Sequence, residues 1–354
     1  MSHSTIVDPP AIRRPSVTTS ASRDPLGVVP VAATVSQRKS AATPTRLWIH
    51  LVLFAATLVT TTAVGARYWD NFSNGLQPVT TMADLLPFPW ILDHLDLWYT
   101  GLPFSLTLLG ILLAHEFGHY FACRLYGVKA SLPFLVPAPT LSGTVGAVIR
   151  LRSTVKSRAA LLVIGAAGPL AGLLVAVPAT WFGLIYSVPI SRTTPLPMFW
   201  LGAPAGIEFL RLALLHTHPD IPTLRMMIPH PVLLASWIGI LVTFINLIPA
   251  GQLDGGHILY AISPRLHKLS SQFTIGVLLY LGTVEWMGWL VWAFLLMSPV
   301  MRHRQVPDKT RPSVWLIALA PICLVVLILS GTLQPVVGDS LMSVLTRINW
   351  GFRF

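Results

Sequence analysis

Between Leu47 and Leu329 the chain is dominated by runs of about 20 nearly uncharged residues, each long enough to cross roughly 30 Å of hydrocarbon as a helix. A backbone in lipid must satisfy its hydrogen bonds internally, which leaves helices and closed barrels as the spanning structures. Only 10% of the 354 residues are charged, against roughly a quarter in soluble globular proteins, so lipid is the solvent for this fold. The expected class is an all-α polytopic membrane protein with about six to seven transmembrane helices. The formal charge of +11 does not point to a nucleic-acid partner, because Lys and Arg gather at the ends of apolar runs, where they report topology.

Residues 1–45 are rich in Ser, Thr, Pro and Ala, with Asp8 and Asp24 as their only acids, and are expected to form a disordered basic tail. The same composition resembles an organellar transit peptide. A bacterial cell membrane with an inward amino terminus is the first expectation, and an organelle membrane the alternative. Residues 46–96 supply a first span, about 47–65, and an outer loop. From Arg67 to Asp96 the loop carries four Asp and no further Lys or Arg, whereas Arg124 to Arg158 contains six basic residues and no acid. That asymmetry puts the loop outside and the basic segment inside.

Residues 97–265 are read as the membrane core, with spans at about 97–126, 159–188 and 231–248. The connection 189–229 includes a half-amphipathic piece, 206–216. In the carboxyl-terminal part, 266–354, the stretch 272–300 is apolar except for Glu285 and has basic flanks. A helical hairpin bending at 282–288 satisfies the charge rule, with Glu285 exposed at the bend. A last span covers about 313–329. Cys123 and Cys323 fall in apolar segments, Cys323 as packing and Cys123 on the helical face that carries His119.

Within the second span stands His115-Glu116-Phe117-Gly118-His119. On a helix, positions four apart lie about 40° and 6 Å from one another, so both imidazoles face one metal ion with Glu116 at its flank. Glu116 can then act as general base toward a water molecule. A structural role for three ionisable groups in five residues is disfavoured, since each costs about 2.5 kcal/mol or more in a span unless partnered. Two His leave a catalytic metal one protein ligand short. Asp254 is the best candidate for the third, at a point where Pro249, Gly251 and the Gly255-Gly256 pair disfavour continuous helix. Asn246 can donate a hydrogen bond to a developing oxyanion, or make an ordinary interhelical contact. His257 reads as a structural polar residue. One Zn2+ per chain is the expected metal, although two His and a carboxylate also hold Fe, Co or Mn. A metal transporter explains the polar residues too, but gives no reason for a Glu between the two His.

His115-Glu116-x-x-His119, Asn246-x-x-Pro249-x-x-x-Leu253-Asp254-Gly255 and the small-residue run Gly165–Gly172 together resemble the site-2 protease family of intramembrane zinc metalloproteases. The resemblance covers about residues 97–265. It implies a three-span core in which His115, His119 and Asp254 ligate zinc and Glu116 is the base, with transmembrane proteins as substrates within the bilayer. Many bacterial members carry a PDZ domain between core spans, and the connection of about 40 residues here is too short for one. Residues 131–152 alternate as a short hairpin does, and in the family a re-entrant β-loop lies there beside the active site. Its segment Gly143, Thr144, Val145 and Gly146 is the expected substrate contact, by strand addition. Gly168 and Gly172 are expected to pack against the metal-bearing helix. Oligomeric state is left open.

Overall fold

The computed structural model describes residues 47–308, 310–337, 340 and 342; the expected tail 1–45 lies outside them. The first helix, α1, runs Leu47–Ser73. It outruns the expected 47–65 by about two turns, and Arg67 and Asp70 pair within that extension at 2.8 Å. A short α2, Phe88–Asp93, leads through a 3-10 segment, Leu95–Gly101, into α3, Leu102–Leu125. Strands β1, Phe134–Pro137, and β2, Thr144–Val148, form an antiparallel hairpin. Then come α4, Arg158–Ile185, β3, Val188–Pro189, β4, Trp200–Leu201, and α5, Ala205–Leu214. β5, Met227–Ile228, pairs with β3 and precedes α6, Pro231–Leu247. There follow α7, Asp254–Ile262, α8, Pro264–Val284, α9, Gly288–Met297, α10, Val314–Ile317, α11, Leu319–Ser330, and β6, Val336–Val337, which pairs with β4.

Among the described residues, three stretches are long and apolar enough to cross a membrane: Leu47–Ser73, Leu95–Leu125 and Arg158–Ile185. Pro231–Leu247, Gly288–Met297 and Val314–Ser330 are apolar and shorter. α8 and α9 form the expected hairpin with its bend at 285–287, but α8 begins at Pro264 and absorbs the basic turn. Glu285 is not exposed as expected: it is half-buried and accepts a hydrogen bond from Gln334. Cys123 and Cys323 are both buried in apolar clusters, which is a packing role for each.

α3, α4, α6 and α7 form the centre of the bundle. The axis of close approach is a line of residues without side chains. A Cβ on Gly118 would come within 2.4 Å of the Ala167 carbonyl oxygen, so α3 and α4 meet backbone to backbone. The Gly255-Gly256 pair does not interrupt the helix, as the sequence suggested. It forms the first turn of α7, where a Cβ on Gly255 would meet the Leu247 carbonyl oxygen at 1.9 Å. The glycines thus let α7 tuck beneath the 248–253 break and aim its amino terminus at α3 and α4.

At the far end of α1 the loop is organised by a buried carboxylate. Asp84 accepts hydrogen bonds from the Thr80 and Thr81 amides at 2.9 and 2.8 Å and from Arg67 Nε at 2.7 Å, while Arg67 lies over the Trp90 ring. Burial alone would raise the Asp84 carboxyl, yet the two amides and the guanidinium hold it down to about 2. Because the folded value is depressed, its stabilising effect is full above the ordinary carboxylate range, about 4, and fades as pH falls through about 2. Asp84→Asn leaves Arg67 without its buried partner and should lower the thermal midpoint in detergent by on the order of 5 °C at neutral pH, a difference that narrows toward pH 2. An unchanged midpoint would remove this carboxylate from the loop's stability.

Candidate metal centre

His115 and His119 project from the same face of α3, and both are buried. His115 Nε2 lies 3.1 Å from His119 Nε2. Asp254 Oδ2, at the first residue of α7, is 3.2 Å from the former and 3.3 Å from the latter. Ligand atoms bonded at 2.0–2.1 Å in a tetrahedral shell stand about 3.3 Å apart, so this triangle has the edge lengths of one face of a zinc site. Among the described residues, these three form the group of His, Cys, Asp and Glu side chains that can hold a metal ion.

Second contacts orient the ligands. His119 Nδ1 is 2.7 Å from the Ile164 carbonyl oxygen of α4, which accepts its N–H and leaves the Nε2 lone pair pointing at His115 and Asp254. A lone pair facing a carboxylate oxygen is repulsive until a cation stands between them. The residues therefore fit a divalent metal on the chemistry of the donor set itself. Gly168 makes the geometry possible: a Cβ there would sit 2.1 Å from His119 Nε2, and one on Gly172 3.3 Å from His115 Cβ. The small-residue run packs against the metal-bearing helix as expected.

Glu116 is buried on the flank of the triangle, and the backbone N–H of Ile149, the residue following β2, faces its carboxylate. Asn246 on α6 places Nδ2 3.4 Å from His115 Nε2, beside the ligand set and at the limit of hydrogen-bond range. The site is thus assembled from α3, α4, α6, α7 and the hairpin. His257, one turn beyond Asp254, turns away from the triangle and pairs with His303 at 2.9 Å, the structural role expected of it.

The expected substrate segment divides. Val145 is a bulge residue without a partner on β1 and is 73% exposed, and Gly146 adjoins it half-buried. Gly143 and Thr144 are buried instead. Thr144 Oγ1 donates to the Val136 carbonyl at 2.7 Å and accepts from the Gly146 amide, so it fastens the bulge from within. Gly143, at φ +76, lies against the Thr60–Thr61 backbone of α1, where a Cβ would approach to 2.7 Å. Sequence reasoning missed Ile149 and Ile164, whose backbone groups carry no sequence signal, and the α1 contacts of the hairpin. Thr60 and Tyr68, polar in an apolar span, were the readable hint of those contacts.

The family described as Peptidase family M50 matches residues 103–287, which hold every residue of the site. The chain is also similar to curated plant proteins. The probable zinc metalloprotease EGY2, chloroplastic, of Arabidopsis thaliana is 31% identical over 238 residues, 64% of this chain and 42% of the relative. The probable zinc metalloprotease EGY1, chloroplastic, of the same plant is 29% identical over 307 residues, 83% and 54% respectively. EGY2 of Oryza sativa subsp. indica is 29% identical over 242 residues, 63% and 42%. The chain spans about half the length of the curated relatives it matches.

If His119 is held by the space at Gly168, then Gly168→Ala should reduce bound metal at least tenfold, measured by elemental analysis of the purified protein, while Gly110→Ala on the lipid-side face of α3 keeps it, since a Cβ there meets nothing closer than 3.7 Å. Full metal occupancy in the Gly168 variant would contradict this packing.

Proposed function

The chain belongs to peptidase family M50, and from that premise we propose that it is an intramembrane zinc metalloprotease that hydrolyses peptide bonds in or near the transmembrane segments of other membrane proteins. The observation that carries the reading is the convergence of His115, His119 and Asp254 within 3.3 Å, with Glu116 on the open flank. A transporter needs ligands but no base beside them. The relatives' names, zinc metalloprotease and chloroplastic, support zinc as the metal and favour an organelle membrane over a bacterial one.

In this reading His115, His119 and Asp254 hold the ion. Once bound, zinc supplies Lewis acidity and brings the pKa of a water toward about 7. Glu116 accepts a proton from the attacking water as its oxygen bonds the scissile carbonyl carbon. It then delivers that proton to the amine nitrogen as the C–N bond breaks, so acid and base roles fall on one carboxylate. The Ile149 amide keeps that carboxylate aimed. Asn246 donates to the carbonyl oxygen as negative charge develops there.

A helical substrate hides its peptide bonds within its own hydrogen bonds and must be drawn out before attack. Successive residues of a strand direct their backbone groups to opposite edges. Arg150 bonds Ser131 on the β1 side, so Ile149 and, two residues back, Ala147 turn to the other edge, which can receive an extended substrate backbone with the exposed Val145 at its rim.

In liposomes with a single-span substrate, cleavage should require metal and stop with chelator. Glu116→Gln should keep its metal and lose at least about a hundredfold in rate, because it removes the base and preserves the cage. Asp254→Ala should lose metal instead. Wild-type rates from the Glu116 variant would remove the proposed base, and a fully metallated Asp254 variant would remove the third ligand.

A further inference from the structure

The side-chain hydrogen bonds that reach the hairpin from another helix come from α1, which lies outside the region matched to the family. α1 meets the loop at three levels. His50 Nδ1 lies 3.0 Å from the Pro133 carbonyl oxygen, and its ring stacks on Phe134 with centroids 4.0 Å apart. Thr60 Oγ1 donates to the Gly143 carbonyl at 2.6 Å. Tyr68 OH donates to the Leu141 carbonyl at 2.6 Å. These residues span 18 positions of one helix, about 27 Å of its length. Their partners are all main-chain carbonyls, which within an apolar surround need a donor.

Other contacts make the attachment rigid. The left-handed Gly143 lies flush on the Thr60–Thr61 backbone, a fit no side chain would allow. α1 in turn is clamped to α3: a Cβ on Gly65 would meet the Gly101 carbonyl oxygen at 2.5 Å, and Thr61 and Ser105 share a buried hydrogen bond. The order of elements is therefore α1, β1, β2 and then Glu116, with hydrogen bonds from α1 to the loop and between the strands, and the Ile149 amide facing the carboxylate.

We propose that α1 is the strut that sets the height and register of the β1–β2 edge against Glu116, with His50, Thr60 and Tyr68 as positioning residues for substrate capture. None of the hydrogen bonds or ion pairs of His115, His119 and Asp254 involves α1. The edge that receives the substrate depends on it. A displacement of α1 against α3 would shift the receiving edge while leaving the metal cage intact, so substrate affinity and turnover separate. The substrate-holding part of this inference rests on the proteolytic reading above; the strut itself does not.

The test uses the full chain in liposomes, comparing wild type with Thr60→Val, Tyr68→Phe and the pair, and with Thr60→Ser, which restores a hydroxyl. Amide exchange in 134–149 should quicken about tenfold in the double variant while α3 and α4 keep their protection. On a single-span substrate KM should rise about five- to tenfold with kcat within twofold and bound zinc unchanged, and Thr60→Ser should behave as wild type. Unaltered exchange in the loop overturns the strut. So does quickened exchange throughout the bundle with loss of metal, which marks a general structural role. If the wild type cleaves nothing, the proteolytic reading fails, and the exchange measurement alone still decides whether α1 holds the loop.

Discussion

Three ligand atoms held within 3.3 Å of one another inside an apolar bundle are the constraint around which the described structure is arranged. Two imidazole nitrogens and a carboxylate oxygen cannot share that space in lipid without a cation or a proton between them. Bringing them together requires α3, α4 and α7 to approach more closely than ordinary side chains permit. The sequence meets that demand with Gly118 and Gly168 between α3 and α4, and with Gly255 and Gly256 where α7 begins. The glycines are as much a part of the metal site as the ligands: a Cβ on Gly168 would fall on His119 Nε2, and one on Gly118, Gly255 or Gly256 would fall on a main-chain carbonyl of the neighbouring segment.

Around this rigid centre the remaining polar groups are distributed by what they must hold still. The Ile164 carbonyl fixes one imidazole, and the Ile149 amide faces the proposed base. Both are main-chain groups, whose positions are set by whole elements and vary little with side-chain rotamers. The hairpin that contributes Ile149 depends on α1 for its own position, so the proposed base is tied through two strands to the most peripheral long helix. The described structure thus separates a metal cage built from the matched family region from a receiving edge mounted on an element outside it.

How much of this was legible follows the range of the interactions. The pairing of His115 with His119 depends on the 3.6-residue period and is local, and the break near Pro249 that frees Asp254 is local too. The fate of Thr144 is not. Its hydroxyl is used inside the bulge, and Gly143 is pressed on a helix some 80 residues earlier, so two residues expected to face substrate face the protein. Glu285 was misjudged for the same reason, since its partner Gln334 is 49 positions away.

By itself, then, the sequence determined the apolar solvent, the helical class and the side chains proposed as metal ligands and base, because hydropathy and helical period act over a few turns. The tertiary structure alone decided that Asp254 reaches the imidazoles, that Gly168 makes room for one of them, and that the hairpin leans on α1 with one edge open. Those outcomes depend on backbone surfaces and carbonyl groups meeting across long stretches of chain. A carbonyl is the same in every residue, so no letter of the sequence announces where one will be needed.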